Sequence, residues 1–257
     1  MRSYEEYLRI LTLWEEYGNK KRIARETGIP RGTVTDCIKK FGSVQGLQDY
    51  RRENLEIVGQ SSLVHELKKR QDPKKLHPHY AYLFGLYLGD GCISHMNRVH
   101  RLRIALDKKY PNIIQSCVDV TETLFPDNQV GIVDRDSYVM VSLYHKYLPQ
   151  IFSQDGAGKK HERDIILENW QQRIVDAYPL EFFRGLYHSD GARSRNVVKG
   201  KNYPRYFFSN YSDDIRKLFA DTVDKLNLSW TQTNSISIAI SRREDVAWLD
   251  EHLGEKS

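Results

Sequence analysis

Two acids stand at matching places in a duplicated segment. Residues 83–91 read LFGLYLGDG and residues 183–191 read FRGLYHSDG, an offset of 100. Gly85 and Gly185, Leu86 and Leu186, Tyr87 and Tyr187, Asp90 and Asp190, and Gly91 and Gly191 coincide. Gly85 and Gly89, matched by Gly185 and Ser189, are four apart on one helix face. Small residues at that spacing let two helix backbones approach closely, and the steric argument does not depend on lipid. Gly91 and Gly191 read as left-handed C-caps. Asp90 and Asp190 are then expected at the C-terminal ends of two helices packed together. That is an unfavourable place for a carboxylate, because the helix dipole leaves partial negative charge there and the second acid adds repulsion. A divalent cation resolves the conflict, and two carboxylates plus water suit Mg²⁺. Paired acids holding metal at a scissile phosphate are nuclease chemistry.

The elements that must position these acids repeat as well. Each motif leads into a basic, strand-like stretch, 101–106 in one half and 206–210 in the other. Amphipathic helices follow, PNIIQSCVDVTETLF and SDDIRKLFADTVDKLNL. Alternating strands come next, SYVMVSLY and NSISIAIS, then short helices, YLPQIF and DVAWLDEHL. After those helices sit GAGKK and GEKS. Each half reads helix–strand–strand–helix–strand–strand–helix.

Ahead of the repeats lies a small all-α segment. YEEYLRILTLWEEY has apolar residues at helical spacing, KKRIARETG closes on Gly28, and RGTVTDCIKKF follows Pro30 and ends at Gly42. Three short helices with a tight turn before the third make a helix-turn-helix pattern. Ile23, Ala24, Ile29, Val34 and Ile38 are its expected core. Arg31, Thr33, Thr35 and Lys39 project from the third helix, where such side chains reach bases and phosphates in a major groove.

Composition narrows the classes. The 257 residues carry 39 Lys and Arg against 34 Asp and Glu, a net charge of +5, with 40% hydrophobic residues. That is a globular balance with a mild preference for polyanions. Residues 81–257 hold 23 bases and 23 acids, so any DNA surface there must come from segregated charge. Segregation is visible: Arg98, Arg101 and Arg103 with His100 in one half, and Arg193, Arg195, Lys199, Lys201 and Arg205 in the other, neither run holding an acid. No apolar run approaches the roughly 20 residues of a membrane helix. The N-terminus lacks an apolar signal region. Three scattered cysteines, Cys37, Cys92 and Cys117, make neither a disulfide framework nor a zinc site. The expected setting is cytoplasmic, associated with the nucleoid.

On its twin motifs, residues 80–257 resemble the LAGLIDADG (dodecapeptide) homing endonuclease family in its single-chain, two-repeat form. The resemblance implies an α+β fold, two pseudo-symmetric αββαββα repeats forming a saddle over DNA with the motif helices at the interface. It implies that the last acid of each motif, Asp90 and Asp190, binds metal. It also implies a basic residue near the active site in each half. Lys160 and Lys256 hold those places, with His161 and Arg163 as competitors for the first. The earlier acid of the family motif is replaced by Leu88 and His188. His188 is then expected to tune or pair with Asp190, or to cap the interface. The expected organisation is 1–45 helix-turn-helix, 46–79 partly helical linker, 80–160 repeat one and 161–257 repeat two. The expected function is site-specific, Mg²⁺-dependent hydrolysis of double-stranded DNA by a monomer. The alternative is a non-catalytic DNA-binding transcriptional regulator on the same scaffold, since some bacterial developmental regulators resemble this fold joined to a helix-turn-helix.

Overall fold

The computed structural model describes residues 4–49, 62–72, 74–253 and 256. The chain divides into two compact units, 1–60 and 61–257.

The first unit holds α1 (Tyr4–Tyr17), α2 (Lys20–Thr27) and α3 (Arg31–Phe41), with a further helical stretch over 44–49. The Asn19 side chain caps α2 by accepting from the backbone N–H groups of Lys21 and Arg22. Gly28, at φ +70°, turns the chain into α3 within three residues. The core is Ile10, Leu11, Ile23, Ile29, Val34, Cys37, Phe41 and Leu47, while Ala24 and Ile38 are only partly buried. Arg31, Thr35 and Lys39 follow at four-residue spacing along one side of α3. Arg31 and Lys39 are exposed and Thr35 half-buried; Thr33, two residues off that line, is half-buried too.

The second unit opens with α4 (Ser62–Lys68), which buries Leu63, Val64 and Leu67 in the main core. This stretch therefore belongs to the core of the second unit, where a partly helical linker is expected over 46–79. Three apolar residues at positions 63, 64 and 67 make a stripe that the surrounding charge obscured. Residues 50–61 and 73 of that expected linker lie outside the described residues. Then comes α5 (Leu76–Asp90), followed by β1 (Gly91–His95), β2 (His100–Asp107), α6 (Pro111–Leu124), β3 (Val130–Asp134), β4 (Tyr138–His145) and α7 (Leu148–Ile151). After α8 (Asn169–Ala177), the pattern recurs. It runs α9 (Pro179–Asp190), β5 (Gly191–Ser194), a hairpin of β6 (Val197–Val198) and β7 (Lys201–Asn202), and β8 (Arg205–Ser209). It continues with α10 (Asp213–Lys225), β9 (Thr231–Asn234), β10 (Ser237–Ile240) and α11 (Arg243–Leu253). The sequence periodicity did not resolve the inserted β6–β7 hairpin. Its turn residues Lys199 and Gly200 both take positive φ, which suits a two-residue hairpin.

Each half forms an antiparallel four-stranded sheet, ordered β1-β2-β4-β3 and β5-β8-β10-β9. Burial alternates along β2: Leu102, Ile104 and Leu106 face the helices, and Arg101, Arg103 and Ala105 face away. Tyr206 and Phe208 do the same on β8. Between the halves, α5 and α9 pack against one another. A Cβ on Gly185 would fall 2.2 Å from the Tyr82 carbonyl oxygen, and one on Gly85 2.7 Å from the Leu186 nitrogen. The backbones touch there, as the small-residue spacing requires. No described helix is long and apolar enough to cross a membrane.

Candidate functional site

The helix contact delivers both acids to one place. Asp90 ends α5 and Asp190 ends α9. A Cβ on Gly89 would stand 2.1 Å from Ser189 Oγ and 2.8 Å from Asp190 Oδ2, so the Asp190 carboxylate lies against the end of the opposite helix. The following glycines are not left-handed caps. Gly91 and Gly191 have φ of −90° and −93°, extended backbone open to any residue. They are glycine because a Cβ would meet Tyr87 Cα at 2.6 Å and the Tyr187 ring atom Cδ2 at 2.2 Å. The chain passes straight from helix to strand, and the tyrosine below leaves no room for a side chain.

Two lysines close the helix ends. Lys160 Nζ donates to the Tyr87 carbonyl and to the Gly91 carbonyl at 2.6 Å. Lys256 Nζ donates to the carbonyls of Tyr187 at 3.3 Å and Gly191 at 2.8 Å. Each ammonium also lies over the ring of the same tyrosine, at 4.6 Å and 5.5 Å. The correspondence between GAGKK and GEKS is thus met by matching positions in space. Each lysine offsets the negative end of its own helix dipole.

Burial dominates the electrostatics. Desolvation, then the neighbouring Asp190 charge, pushes the Asp90 carboxyl up to about 7. Desolvation also raises Asp190, opposed first by a hydrogen bond from Asn210 and then by the two lysines. Both lysines are lowered to about 8 by burial, against the pull of the acids. Two carboxylates and two ammonium groups therefore share a site that favours the charge of none of them.

The halves are not equivalent. Asn210 Nδ2 donates to Asp190 Oδ2 at 2.8 Å. Asn210 is itself fixed: its side-chain oxygen accepts from Ser212 N, and its carbonyl accepts from Arg216. Register aligns Gly91 with Ile104 and Gly191 with Phe208, so the position matching Asn210 is Leu106, which has nothing to donate. Sequence reading missed Asn210, because only strand register reveals the equivalence. His188 does not reach Asp190. Its Nδ1 pairs with Tyr82 Oη at 2.9 Å across the helix interface, and burial pushes the imidazole down to about 3, so it is neutral. Of the expected alternatives, the structure has the interface cap.

The loop carrying Lys160 is held from several sides. Arg163 donates to the carbonyls of Gln154 and Gly158. Its role is to brace the loop, and Lys160 is the cation beside the helix end. Gln154 and Gln171 exchange hydrogen bonds, and Gln171 donates to Tyr80 Oη, which donates to the Ile151 carbonyl. This buried network joins α5, α7 and α8. Above it opens a cleft of about 500 Å³, lined in part by Asp190, Asn210, Lys160, His161, Arg163 and Tyr211.

The remaining basic residues divide. Arg101 and Arg103 lie on the outward face of the first sheet, each with an Nε that has no partner, and Arg98 is exposed in the β1–β2 turn. Arg205 lies on the outward face of the second sheet, its guanidinium 5.3 Å from the Phe207 ring. Arg195, Lys199 and Lys201 are exposed around the β6–β7 hairpin. Arg193 does not share that face. Register sets it opposite Tyr206, on the helix side, where Asp250 accepts from its Nε and Nη2 at 2.7 and 2.8 Å. One residue of strand phase decides this, and a charge run does not carry phase. Arg31, Thr33, Thr35 and Lys39 belong to the other unit.

Among solved structures, this arrangement is similar to that of I-DmoI in complex with DNA and Mn, with a TM-score of 0.51 and 18% identity, covering 70% of this chain and 99% of that one. The chain has the two-repeat LAGLIDADG fold. Weaker likenesses to solved LAGLIDADG structures include the N-terminal LAGLIDADG domain of DUF199/WhiA, with a TM-score of 0.46 and 14% identity over 75% of this chain and 90% of that one. Another is the LAGLIDADG meganuclease I-AabMI bound to uncleaved DNA, with a TM-score of 0.44 and 12% identity over 67% and 82%. No protein-family model matches the sequence, and no curated protein matches it closely enough to count as a relative. In LAGLIDADG terms, α5 and α9 are the motif helices, and Asp90 and Asp190 are their last acids.

Proposed function

We propose that this chain is a site-specific, metal-dependent endonuclease of double-stranded DNA, of the homing-endonuclease type. The observation that carries the reading is the convergence of Asp90 and Asp190 at the ends of two touching helices. Burial costs both carboxylates, and no helix-packing need calls for acids there. Among the described residues no cluster of three metal-ligating side chains exists. Two carboxylates that leave further positions to water and phosphate oxygens nonetheless fit a hard cation such as Mg²⁺. Asp90 and Asp190 would hold it, and when bound it supplies charge stabilisation at the phosphate and a more acidic water. The chain's own residues do the rest. Lys160 and Lys256 keep the helix ends electrically tolerable to two anions. Asn210 fixes one carboxylate. Arg98, Arg101, Arg103, Arg195, Lys199, Lys201 and Arg205 bind the duplex along the outward sheet faces. The helix-turn-helix, through Arg31, Thr35 and Lys39, lengthens the contacted site. A monomer suffices, because the internal repeat supplies both halves.

The test is incubation of the protein with a pooled library of duplex DNA, with Mg²⁺ and with EDTA, followed by sequencing of new ends. The Asp90→Asn/Asp190→Asn variant runs beside it. Discrete ends that need both metal and acids are expected. Ends produced equally by the variant would sink the reading.

One observation favours the alternative, a DNA-binding regulator that does not cut. Both Lys160 and Lys256 are engaged with backbone carbonyls, so neither of these two ammonium groups is free to meet a phosphate. That reading expects protected fragments in the same pool, no metal requirement and no new ends.

A further inference from the structure

The two sheets differ in chemistry along one row that crosses them. Register makes Ala105 the counterpart of Ser209. Across the first sheet, Ala105 pairs with Met140 and Met140 with Val133. Across the second, Ser209 pairs with Ser237 and Ser237 with Asn234. All three residues of the first row are partly exposed, and none belongs to the core. Ser209 and Ser237 hydroxyls are 2.8 Å apart, and Ser209 lines the cleft beside Asp190. One row therefore has no side chain able to hydrogen-bond, except for a weak thioether. The other consists only of hydroxyl and amide groups.

The apolar row sits on a cationic face. Arg103 and Arg101 occupy the neighbouring positions on β2, each with its unpartnered Nε. Charge complementarity points to a polyanion as occupant, and the DNA reading above supplies it. Of the groups a duplex shows in its major groove, one is apolar: the C5 methyl of thymine. Resting on that reading, we propose that Ala105, Met140 and Val133 read thymine methyl groups. The half-site under the first sheet then carries thymines at those base pairs. The base pairs under the Ser209–Ser237–Asn234 row are read by hydrogen bonds instead.

The test replaces thymine by uracil, which removes the methyl and nothing else. Binding of the full chain to a duplex recovered from the pooled library is measured in EDTA, so that cleavage does not intervene. Protection footprints of Arg103→Ala and Arg205→Ala assign each half-site to its sheet. Uracil at one or two positions under the first sheet should weaken binding about three- to fivefold each, the worth of one buried methyl. Uracil at the base pairs under the Ser209–Ser237–Asn234 row should change it by less than about 1.5-fold. In Met140→Ser the penalty should fall below about twofold. Val133→Ser, on the partly exposed edge strand β3, gives the same readout should Met140→Ser fail to fold. A penalty that persists in both variants, that is equal in the two half-sites, or that is absent everywhere overturns the inference while leaving DNA binding in place. Recovery of no specific duplex overturns the DNA reading itself, and this inference with it.

Discussion

Asp90 illustrates how a single carboxyl can work against the fold that holds it. Its proton is retained to about pH 7 in the folded chain and lost near pH 4 in an unfolded one. The folded state therefore binds more protons in that window, and stability falls as pH rises through it. Asp90→Asn removes the term. In EDTA, the variant should match the parent near pH 4 and be more stable above pH 7, by about 1–3 kcal/mol. Thermal melts across that range check it, and a constant difference would contradict it. Tyr82→Phe makes the opposite kind of test. It strands the neutral His188 Nδ1 in the helix interface, which should cost about 1–3 kcal/mol. Denaturant titration near neutral pH reads it, with Tyr82→Phe/His188→Leu as the control that removes both polar groups.

At the scale of elements, the motif helices are organised by contact between backbones. Adding a methyl at Gly85 or Gly185 puts it within 2.7 Å or 2.2 Å of the opposite backbone, which has no rotamer with which to yield. Gly85→Ala or Gly185→Ala should cost roughly 3 kcal/mol or more by overpacking. Gly200→Ala, with open space around it and only a positive φ to violate, should cost about 1 kcal/mol. Equal costs in urea denaturation would refute the packing argument. These helices were legible in the sequence because the duplication displayed the same small residues and the same acid twice. The strands were legible for the same reason, from alternation repeated at one offset. What escaped had no periodic signal. The Tyr80–Gln171–Gln154 network joins residues up to 91 apart, and no local pattern announces it. Asn210 reads only as the end of the strand-like stretch 206–210 until strand register makes it the counterpart of Leu106. Arg193 looked like its neighbours in a charge run, and only its strand phase turns it toward Asp250.

For the whole molecule, the charge distribution separates two contributions to the proposed DNA binding. Residues 81–257 are neutral overall, and of their two acid-free basic runs all but Arg193 lie on the outward sheet faces or around the β1–β2 and β6–β7 turns. The first unit adds Arg31 and Lys39 along one side of α3. If each meets one phosphate, Arg31→Ala/Lys39→Ala should reduce the slope of log affinity against log salt by about 2, with the sequence preference of the saddle retained. Binding titrations at several salt concentrations measure the slope. An unchanged slope would remove α3 from the interface.

The burial of α5 also bears on how the protein is made. Nine consecutive residues, Tyr80 to Leu88, are buried, so the helix has no side suited to water. Its partner α9 begins only at Pro179. A ribosome works from the N-terminus, so the whole first repeat leaves it before the surface that covers α5 exists. During that interval an apolar helix faces solvent or a chaperone. Once α9 arrives, the two acids meet for the first time. The nascent chain thus passes most of its synthesis before its two motif acids have come together.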